Sequence, residues 1–195
     1  MTKAEQTKQL IIEKTVSLFN TKGIAATAMS DIMDATGLAK GSLYLHFENK
    51  EELSYSVVDY SLQLLSEKLF FIVNKSKTPK AKLLAHIQFF SDPLHPPVTG
   101  GCPMMNFGME ADDTNQVIKE KIRSFMQNGI DAIAETIREG IRIGQFKQDW
   151  NAKEFAVKMF ALLEGGIMMS RIIGNNEASK TIVGILKKEI DAQTI

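Results

Sequence analysis

One segment constrains this chain more than any other: residues 27–50 have the sequence TAMSDIMDATGLAKGSLYLHFENK. Thr27 is a hydroxyl residue that precedes an apolar-periodic run, so we expect it to cap a first short helix. Gly37 is where that helix should end, because a left-handed conformation costs glycine little. A second short helix is predicted from about residue 39 to residue 46. The segment therefore predicts two short helices joined by a tight turn.

The second of these helices has two different faces. Leu43 and Phe47 lie four positions apart, so they form an apolar face that must pack against the preceding helix. The DNA major groove admits one helix of this kind, and side chains on its outer face reach base edges or phosphates. The residues on the outer face are Lys40, Ser42, Tyr44 and His46. From spacing alone, a helical hairpin with a solvated polar face remains an open alternative.

The same residues carry a family resemblance. The sequence GLAKGSLYLHF at residues 37–47, followed by NKEEL at residues 49–53, resembles the signature of the tetracycline-repressor (TetR) family. Upstream, residues 19–23 (FNTKG) and Thr27 also match this pattern. The resemblance covers about the first quarter of the chain.

The resemblance implies a domain organisation. The expected fold is all-α, with about nine helices. Residues 1–48 would form an N-terminal helix-turn-helix DNA-binding domain. Residues 49–195 would form a C-terminal helical domain for effector binding and dimerisation.

The resemblance also implies a function. Members of this family are homodimers that bind a near-palindromic double-stranded DNA operator, and the expected protein is a repressor that a small-molecule effector releases. Leu45 departs from the family pattern, which often has a polar or aromatic residue there, so an apolar contact to a thymine methyl is the expected substitute. Thr27, His46 and Lys50 would clamp phosphates. The full set of expected DNA-binding residues is Thr27, Lys40, Gly41, Ser42, Tyr44, Leu45, His46 and Lys50.

The charge balance limits how such a protein could bind DNA. The chain has 23 basic and 23 acidic residues, whereas a nucleic-acid-binding domain is often clearly basic. Affinity must therefore come from individually placed contacts, helix N-termini and dimerisation rather than from bulk charge. Two alternatives stay open: an all-helical small-molecule-binding protein or enzyme without a DNA role, and an activator with the same fold.

Other patterns argue against several classes of protein. The single cysteine excludes an internal disulfide and a cysteine metal cluster. The polar N-terminus has no apolar signal core, and no apolar run is long enough to span a membrane, so we expect a cytoplasmic protein. The three histidines are scattered, and no HExxH, GxSxG, P-loop or GxGxxG motif occurs. We expect no catalytic activity, no cofactor and no metal site.

Helical periodicity continues through the rest of the chain. Gly23 and Gly144 should end two of the helices, and Asn175 with Asn176 should end a third. Three of the five prolines lie in residues 91–101, so no helix can persist there. Besides the two short helices, the predicted helices cover about residues 3–21, 49–71, 79–90, 103–111, 115–143, 151–173 and 177–190.

The middle of the chain is rich in methionine and phenylalanine, which could wall a pocket for a small apolar ligand. Ordinary core packing would produce the same composition. Cys102 precedes Pro103 at a predicted helix N-terminus, where a thiol is more reactive. It is either a reactive sensing thiol or a small buried apolar residue. The candidate effector-binding residues are Phe70, Phe89, Cys102, Met105, Met109, Met126, Met159 and Leu163.

The predicted eighth helix mixes small and apolar residues, which would let another helix approach closely. In the TetR family the last two helices of each subunit usually form a four-helix dimer interface. The alternative is that these helices complete the core of one subunit. The candidate dimerisation residues are Ala161, Gly165, Ile167, Met168, Ile182 and Ile185.

Overall fold

The computed structural model describes all 195 residues and confirms the all-α fold. The only extended pairing is an isolated bridge between Phe146 and Thr194. No helix combines the length and the apolar character that crossing a membrane requires. The nine helices are α1 (Lys3–Lys22), α2 (Met29–Thr36), α3 (Lys40–Tyr44), α4 (Lys50–Val73), α5 (Pro79–Phe89), α6 (Pro103–Ala111), α7 (Gln116–Arg142), α8 (Ala152–Ile173) and α9 (Glu177–Ala192).

Side-chain caps set several helix starts. Thr2 accepts a hydrogen bond from the Glu5 amide and caps α1, and Thr78 caps α5, whose first residue is a proline. The prediction that Thr27 caps α2 was wrong. The N-cap is Ala28, and the Asp31 carboxylate accepts the Ala28 amide at 2.9 Å.

Glycines in the left-handed conformation end two helices. Gly37 follows α2 with φ +71°, as predicted. Gly174 follows α8 with φ +83°, one residue before the predicted break at Asn175 and Asn176. The asparagines are therefore part of the connection to α9, and the glycine ends the helix.

The chain forms two compact units. Unit 1 consists of Met1–Leu65 and Pro97–Arg123, and unit 2 consists of Ser66–Pro96 and Ser124–Ile195. The long helices α4 and α7 each contribute residues to both units. This division by packing differs from the functional division expected at residue 48, which stays a prediction.

Unit 1 has an apolar core to which α1, α2, α3, α4 and α6 all contribute. Helix α1 packs against both α2 and α6, and α2 packs against α3. The short α3 is therefore positioned through a chain of neighbouring helices rather than by its own length. The buried side chains include Ile11, Val16, Phe19, Ile32, Leu43, Phe47, Leu53, Val57 and Phe107.

Unit 2 has a separate apolar core between α5, α7, α8 and α9. Its centre is an aromatic group in which Trp150 meets Phe146 and Phe155 edge-on, each at a centroid distance of 4.8 Å. Around it pack Leu83, Ile87, Ile133, Ala134, Ile137, Ala152, Ala156, Met159, Leu163, Leu186 and Ile190.

Candidate nucleic-acid interface

The recognition segment has the two-faced geometry that the sequence predicts. Helix α3 begins at Lys40, and Leu43 and the following Phe47 are both buried in unit 1. The helix ends at Tyr44. Beyond it the His46 amide donates to the Leu43 carbonyl, three residues back, at 3.0 Å. Burial of the apolar face leaves the opposite face directed toward solvent.

The outward face combines hydrogen-bond donors with an apolar tip. Leu45 is 83% exposed, and Lys40, Gly41 and Tyr44 are also exposed. The Lys40 ammonium lies 5.9 Å from the centre of the Tyr44 ring, so the two side chains occupy one patch. An ammonium and a phenol can donate to phosphates or base edges, and a leucine can contact a thymine methyl.

Two further predicted DNA-binding positions on this segment are less accessible. Ser42 and His46 are half-buried at the edge of the patch. Gly41 has no neighbouring atom within 4 Å of the position that a Cβ would take. Nothing in the chain itself therefore requires glycine there, whereas a close external surface would.

The Thr27 hydroxyl faces the protein. Thr27 is buried, and its Oγ1 donates to the Gly23 carbonyl at 2.6 Å. The hydroxyl therefore satisfies a carbonyl that follows the end of α1, which needs a donor. The predicted phosphate contact of Thr27 stays a prediction.

The Lys50 ammonium also has partners within the chain. Its Nζ donates to the carbonyls of Ile24 at 2.8 Å, Ala25 at 3.3 Å and Thr27 at 2.9 Å. In this structure Lys50 therefore positions the turn between α1 and α2, which we define as residues 23–28 and call the α1–α2 turn. The predicted phosphate contact of Lys50 stays a prediction.

Acidic residues accompany the other basic side chains near this face. The Lys22 ammonium lies 2.9 Å from the Asp31 carboxylate. The Lys22 hydrogen bond, followed by the Ala28 amide, lowers the pKa of Asp31 from its ordinary value. Lys8 lies over the Phe47 ring at 4.8 Å and 3.6 Å from Glu52. Lys22 and Lys8 are therefore each paired with a carboxylate of the chain.

Sequence reasoning missed one set of contacts in unit 1. The Glu110 carboxylate on α6 accepts the amides of Ile24 at 2.8 Å and Ala25 at 2.6 Å. The Asn106 amide group donates to the backbone carbonyl of Asn20 at 2.9 Å. The four-residue spacing of Asn106 and Glu110 puts both on one face of a helix, and this is the one sequence signal for their shared role. Their main partners are backbone groups, which the sequence does not identify.

The candidate effector residues do not share one environment. Met159 and Leu163 belong to the apolar core of unit 2, as ordinary core residues do. Phe70 is 71% exposed and Met109 is 76% exposed, so neither is buried in a core, and their predicted effector contacts stay predictions. Composition indicated apolar character but not burial. The other candidates in unit 2 are the half-buried Phe89 and the exposed Met126.

In unit 1, Cys102 occupies the N-cap of α6, as predicted from Pro103. Its side chain is nearly buried, with 7% of its surface exposed, and Met105 is half-buried. The position at a helix N-terminus and the burial are both present, so each of the two interpretations of Cys102 keeps one supporting observation.

The candidate dimerisation residues divide into two groups. Ile167 is buried, and Ile182 packs against the core of unit 2, so both serve the fold of one subunit. Four remain accessible: the exposed Ala161, Met168 and Ile185, and the partly exposed Gly165.

Comparison with known proteins gives two domain matches. Residues 11–54 match the profile described as bacterial regulatory proteins, tetR family. Residues 79–186, more than half of the chain, match the profile described as tetracyclin repressor-like, C-terminal domain.

Similar proteins span the whole chain. A TetR transcriptional regulator from Chloroflexus aurantiacus J-10-FL has 32% sequence identity and a TM-score of 0.95, covering 100% of this chain and 98% of that one. A TetR-family regulator from Cytophaga hutchinsonii has 32% identity and a TM-score of 0.92 over the same shares. The HTH-type transcriptional repressor DhaR of Mycobacterium sp. (strain GP1) is 24% identical over 170 residues, covering 87% of this chain and 85% of that protein.

Three observations agree with one another. Helix α3 has an exposed face, two TetR-family profiles match the chain, and a solved TetR regulator shares its fold over nearly the whole length. The chain belongs to the TetR family, and it is a DNA-binding transcriptional regulator rather than an enzyme.

Proposed function

We propose that this regulator is a homodimeric repressor that binds a near-palindromic operator through α3 and leaves it when an effector binds. The observation that carries the proposal is the exposed patch of Lys40, Tyr44 and Leu45 on a helix whose other face is buried. The two α3 helices would lie in successive major grooves, about 34–36 Å apart or slightly more. The repressor name of the DhaR relative supports the direction of regulation.

An apolar stripe on α8 supports the homodimer. Ala161, Gly165, Met168 and Ile172 recur at helical spacing, and three of them are exposed. Ile172 is 79% exposed, which is unfavourable for a monomer in water. A second copy of the chain would bury this stripe. We expect Ile172→Asp to shift the protein from dimer to monomer in sedimentation velocity, and an unchanged dimer would contradict this part of the proposal.

The effector is proposed to be a small apolar molecule or an electrophile. It must bind the released state better than the DNA-bound state, because otherwise it shifts no equilibrium. Cys102 supports the electrophile, since it lies at the N-terminus of α6. N-ethylmaleimide should release the wild type from DNA and leave Cys102→Ser bound. Equal release of both proteins would exclude the thiol and leave a non-covalent ligand.

The main experiment selects bound duplexes from a random pool. We expect one near-palindromic sequence to be enriched, with an affinity that falls steeply as salt increases. Lys40→Ala and Tyr44→Ala should each weaken binding about tenfold. The matched control is Lys188→Ala, which removes the same charge from an exposed position on α9 and should bind as the wild type does.

The outcomes separate the alternatives. If no duplex is enriched, the proposed binding of a specific near-palindromic operator fails. If a duplex is enriched but Lys40→Ala and Tyr44→Ala bind it like the wild type, α3 is not the contact surface. With the selected site placed in a promoter, added protein should lower transcription in vitro, and an increase would make the protein an activator.

A further inference from the structure

The α1–α2 turn is bonded on both of its backbone edges. On one edge, the two Glu110 oxygens accept the amides of Ile24 at 2.8 Å and Ala25 at 2.6 Å. On the other edge, the Lys50 ammonium donates to the carbonyls of the same two residues and of Thr27. The turn therefore lies between an anion from α6 and a cation from α4. Hydrogen bonds to charged groups are the strong ones, and they fix geometry as well as distance.

A second set of polar contacts joins the end of α1 to the segment before α6. The Asn106 amide group is within hydrogen-bond distance of the Asn20 carbonyl at 2.9 Å, the Asn20 Oδ1 at 3.0 Å and the Gly100 carbonyl at 3.1 Å. Asn20 is 3% exposed, and its Nδ2 donates to the carbonyls of Thr99 at 2.8 Å and Gly101 at 3.1 Å. Every polar atom of this buried amide therefore has a partner, as a specific buried network requires.

The backbone approach at this place is close. Gly100 has φ +106°, and a Cβ built there would lie 2.6 Å from the Asn20 carbonyl oxygen. A Cβ on Gly23, with φ +86°, would lie 3.1 Å from a Glu110 oxygen. The two glycines thus leave the space that lets α6 and its preceding segment sit directly on the end of α1 and on the α1–α2 turn.

These contacts differ from apolar packing in what they permit. Apolar burial has no preferred direction, whereas a hydrogen bond weakens steeply with distance and angle. Asn106 and Glu110 lie one helical turn apart on α6, so both contacts break together if α6 moves. Because α1 packs on α2 and α2 packs on α3, a displaced turn changes the position of α3.

We propose that Asn20, Asn106 and Glu110 form a polar junction that couples α6 to the α1–α2 turn and thereby controls whether α3 can bind DNA. Asn106 and Glu110 are positioning residues in this scheme, since neither contacts DNA. The inference rests on the proposed DNA-binding function and adds the route by which a change at α6 reaches the recognition helix.

The first test removes the charge of Glu110. Glu110→Gln keeps the side-chain size but replaces one acceptor oxygen by an NH2 donor, which would face one of the two backbone N–H groups that donate to the carboxylate. We expect its affinity for the selected duplex to fall about tenfold or more. The matched control is Asp113→Asn, an exposed carboxylate close to the end of α6, which should bind as the wild type does. Wild-type affinity in Glu110→Gln would overturn the proposal.

The second test uses reciprocity and needs no effector. If α6 and the DNA-binding face are coupled, DNA must affect α6 as much as α6 affects DNA binding. Cys102 at the start of α6 is the only cysteine, so its rate of modification by N-ethylmaleimide reports opening of this segment. We expect saturating selected duplex to slow the reaction at least several-fold in the wild type. In Glu110→Gln, the rate measured with saturating duplex should differ less than twofold from the rate measured without duplex.

The results distinguish failure of the junction from failure of the proposed function. If the wild type binds no duplex, the proposed function fails before the junction is tested. If the wild type binds but duplex leaves the Cys102 rate unchanged, DNA binding stands and the junction is wrong. Equal protection in the wild type and in Glu110→Gln would also overturn the junction. The wild-type measurement alone can contradict the proposal, so the test does not depend on whether the variant folds.

Discussion

The two units of this chain each have an apolar core but differ in the polar contacts that join their segments. In unit 1, segments far apart in sequence are joined by directional polar contacts, such as those of Glu110 with Ile24 and Ala25. In unit 2, the elements meet in an apolar core around Phe146, Trp150 and Phe155. Directional bonds specify an orientation, whereas apolar burial specifies a volume. The contrast suggests that changes in unit 1 alter DNA binding first and that changes in unit 2 alter stability first.

Unit 2 also has polar contacts between its elements. The Ser170 and Ser179 hydroxyls are 3.0 Å apart in a buried contact between α8 and α9, whereas the ion pairs lie at the surface. The Lys80 ammonium lies 2.7 Å from the Asp191 carboxylate, and the Lys82 ammonium lies 3.2 Å from that of Glu139. Exposed ion pairs contribute little because water and salt screen them. The stability of unit 2 therefore depends on its apolar core.

The largest expected effect is on the aromatic group of unit 2. Phe155→Ala should lower the free energy of unfolding by about 3–5 kcal/mol, because it deletes a fully buried ring and leaves a cavity. Phe155→Leu is the matched control and should lose clearly less. Urea denaturation at neutral pH measures both. A loss below about 1 kcal/mol for the alanine variant would mean that this core is not what stabilises unit 2.

The next effect is a pH dependence that comes from His86 on α5. His86 keeps some accessible surface but is surrounded by packed atoms, and burial lowers its pKa from 6.5 to about 4. Between these values the unfolded state binds more protons than the folded state. His86 therefore makes stability fall as pH decreases from about 6.5 to about 4, by about 3 kcal/mol in all, with no further contribution below that.

Urea denaturation across this pH range checks the prediction. His86→Gln cannot be protonated, so the part of the slope that comes from His86 should disappear. Carboxylates contribute to the slope in both proteins, and the difference between the two curves isolates the histidine. Identical slopes would show that the folded state accepts the proton as readily as the unfolded state does.

A smaller effect is expected at Gly100, where it bears on unit 1. Gly100→Ala meets both an unfavourable positive φ and the Asn20 carbonyl, so affinity for the selected duplex and stability should both fall. Gly144→Ala is the matched control, since Gly144 also has a positive φ, +74°, but has no atom within 4 Å of the Cβ position. The control should lose about 1 kcal/mol of stability and keep its DNA affinity. Equal duplex affinities in Gly100→Ala and Gly144→Ala would mean that DNA binding is no more sensitive to changes in unit 1 than to changes in unit 2.

The smallest effect is expected for the surface ion pair of unit 2. Lys80→Ala should change the free energy of unfolding by less than about 1 kcal/mol, because both partners of the pair are accessible to solvent. The measurement is the same urea titration, repeated at high salt, where the difference should shrink. A loss of several kcal/mol would mean that polar contacts stabilise unit 2 as well.

Much of the fold could be predicted from local sequence patterns. The spacing of Leu43 and Phe47 gave the buried face of α3, and Pro103 gave the start of α6. Gly37 ended α2 as expected, since the left-handed position suits glycine. These features depend on residues close in sequence, so a single chain displays them.

The misses concern contacts and burial that the local sequence pattern does not show. The Thr27 hydroxyl fits the pattern of an N-cap, but in the folded chain it donates to the Gly23 carbonyl instead. Glu110 accepts backbone amides more than eighty residues away, and any residue type could supply those amides. Phe70 and Met109 look like core residues by composition, and only the fold shows that they are exposed. Long-range contacts with backbone groups leave no signature in one sequence.

Photo-crosslinking can show whether the exposed face of α3 contacts DNA. Benzoylphenylalanine introduced at Leu45 should crosslink to the selected duplex under illumination. The same group introduced at Ile143, an exposed residue of unit 2 outside the proposed dimer stripe, should give no crosslink. A crosslink from position 143, or none from position 45 in a complex that still binds, would contradict the proposed contact.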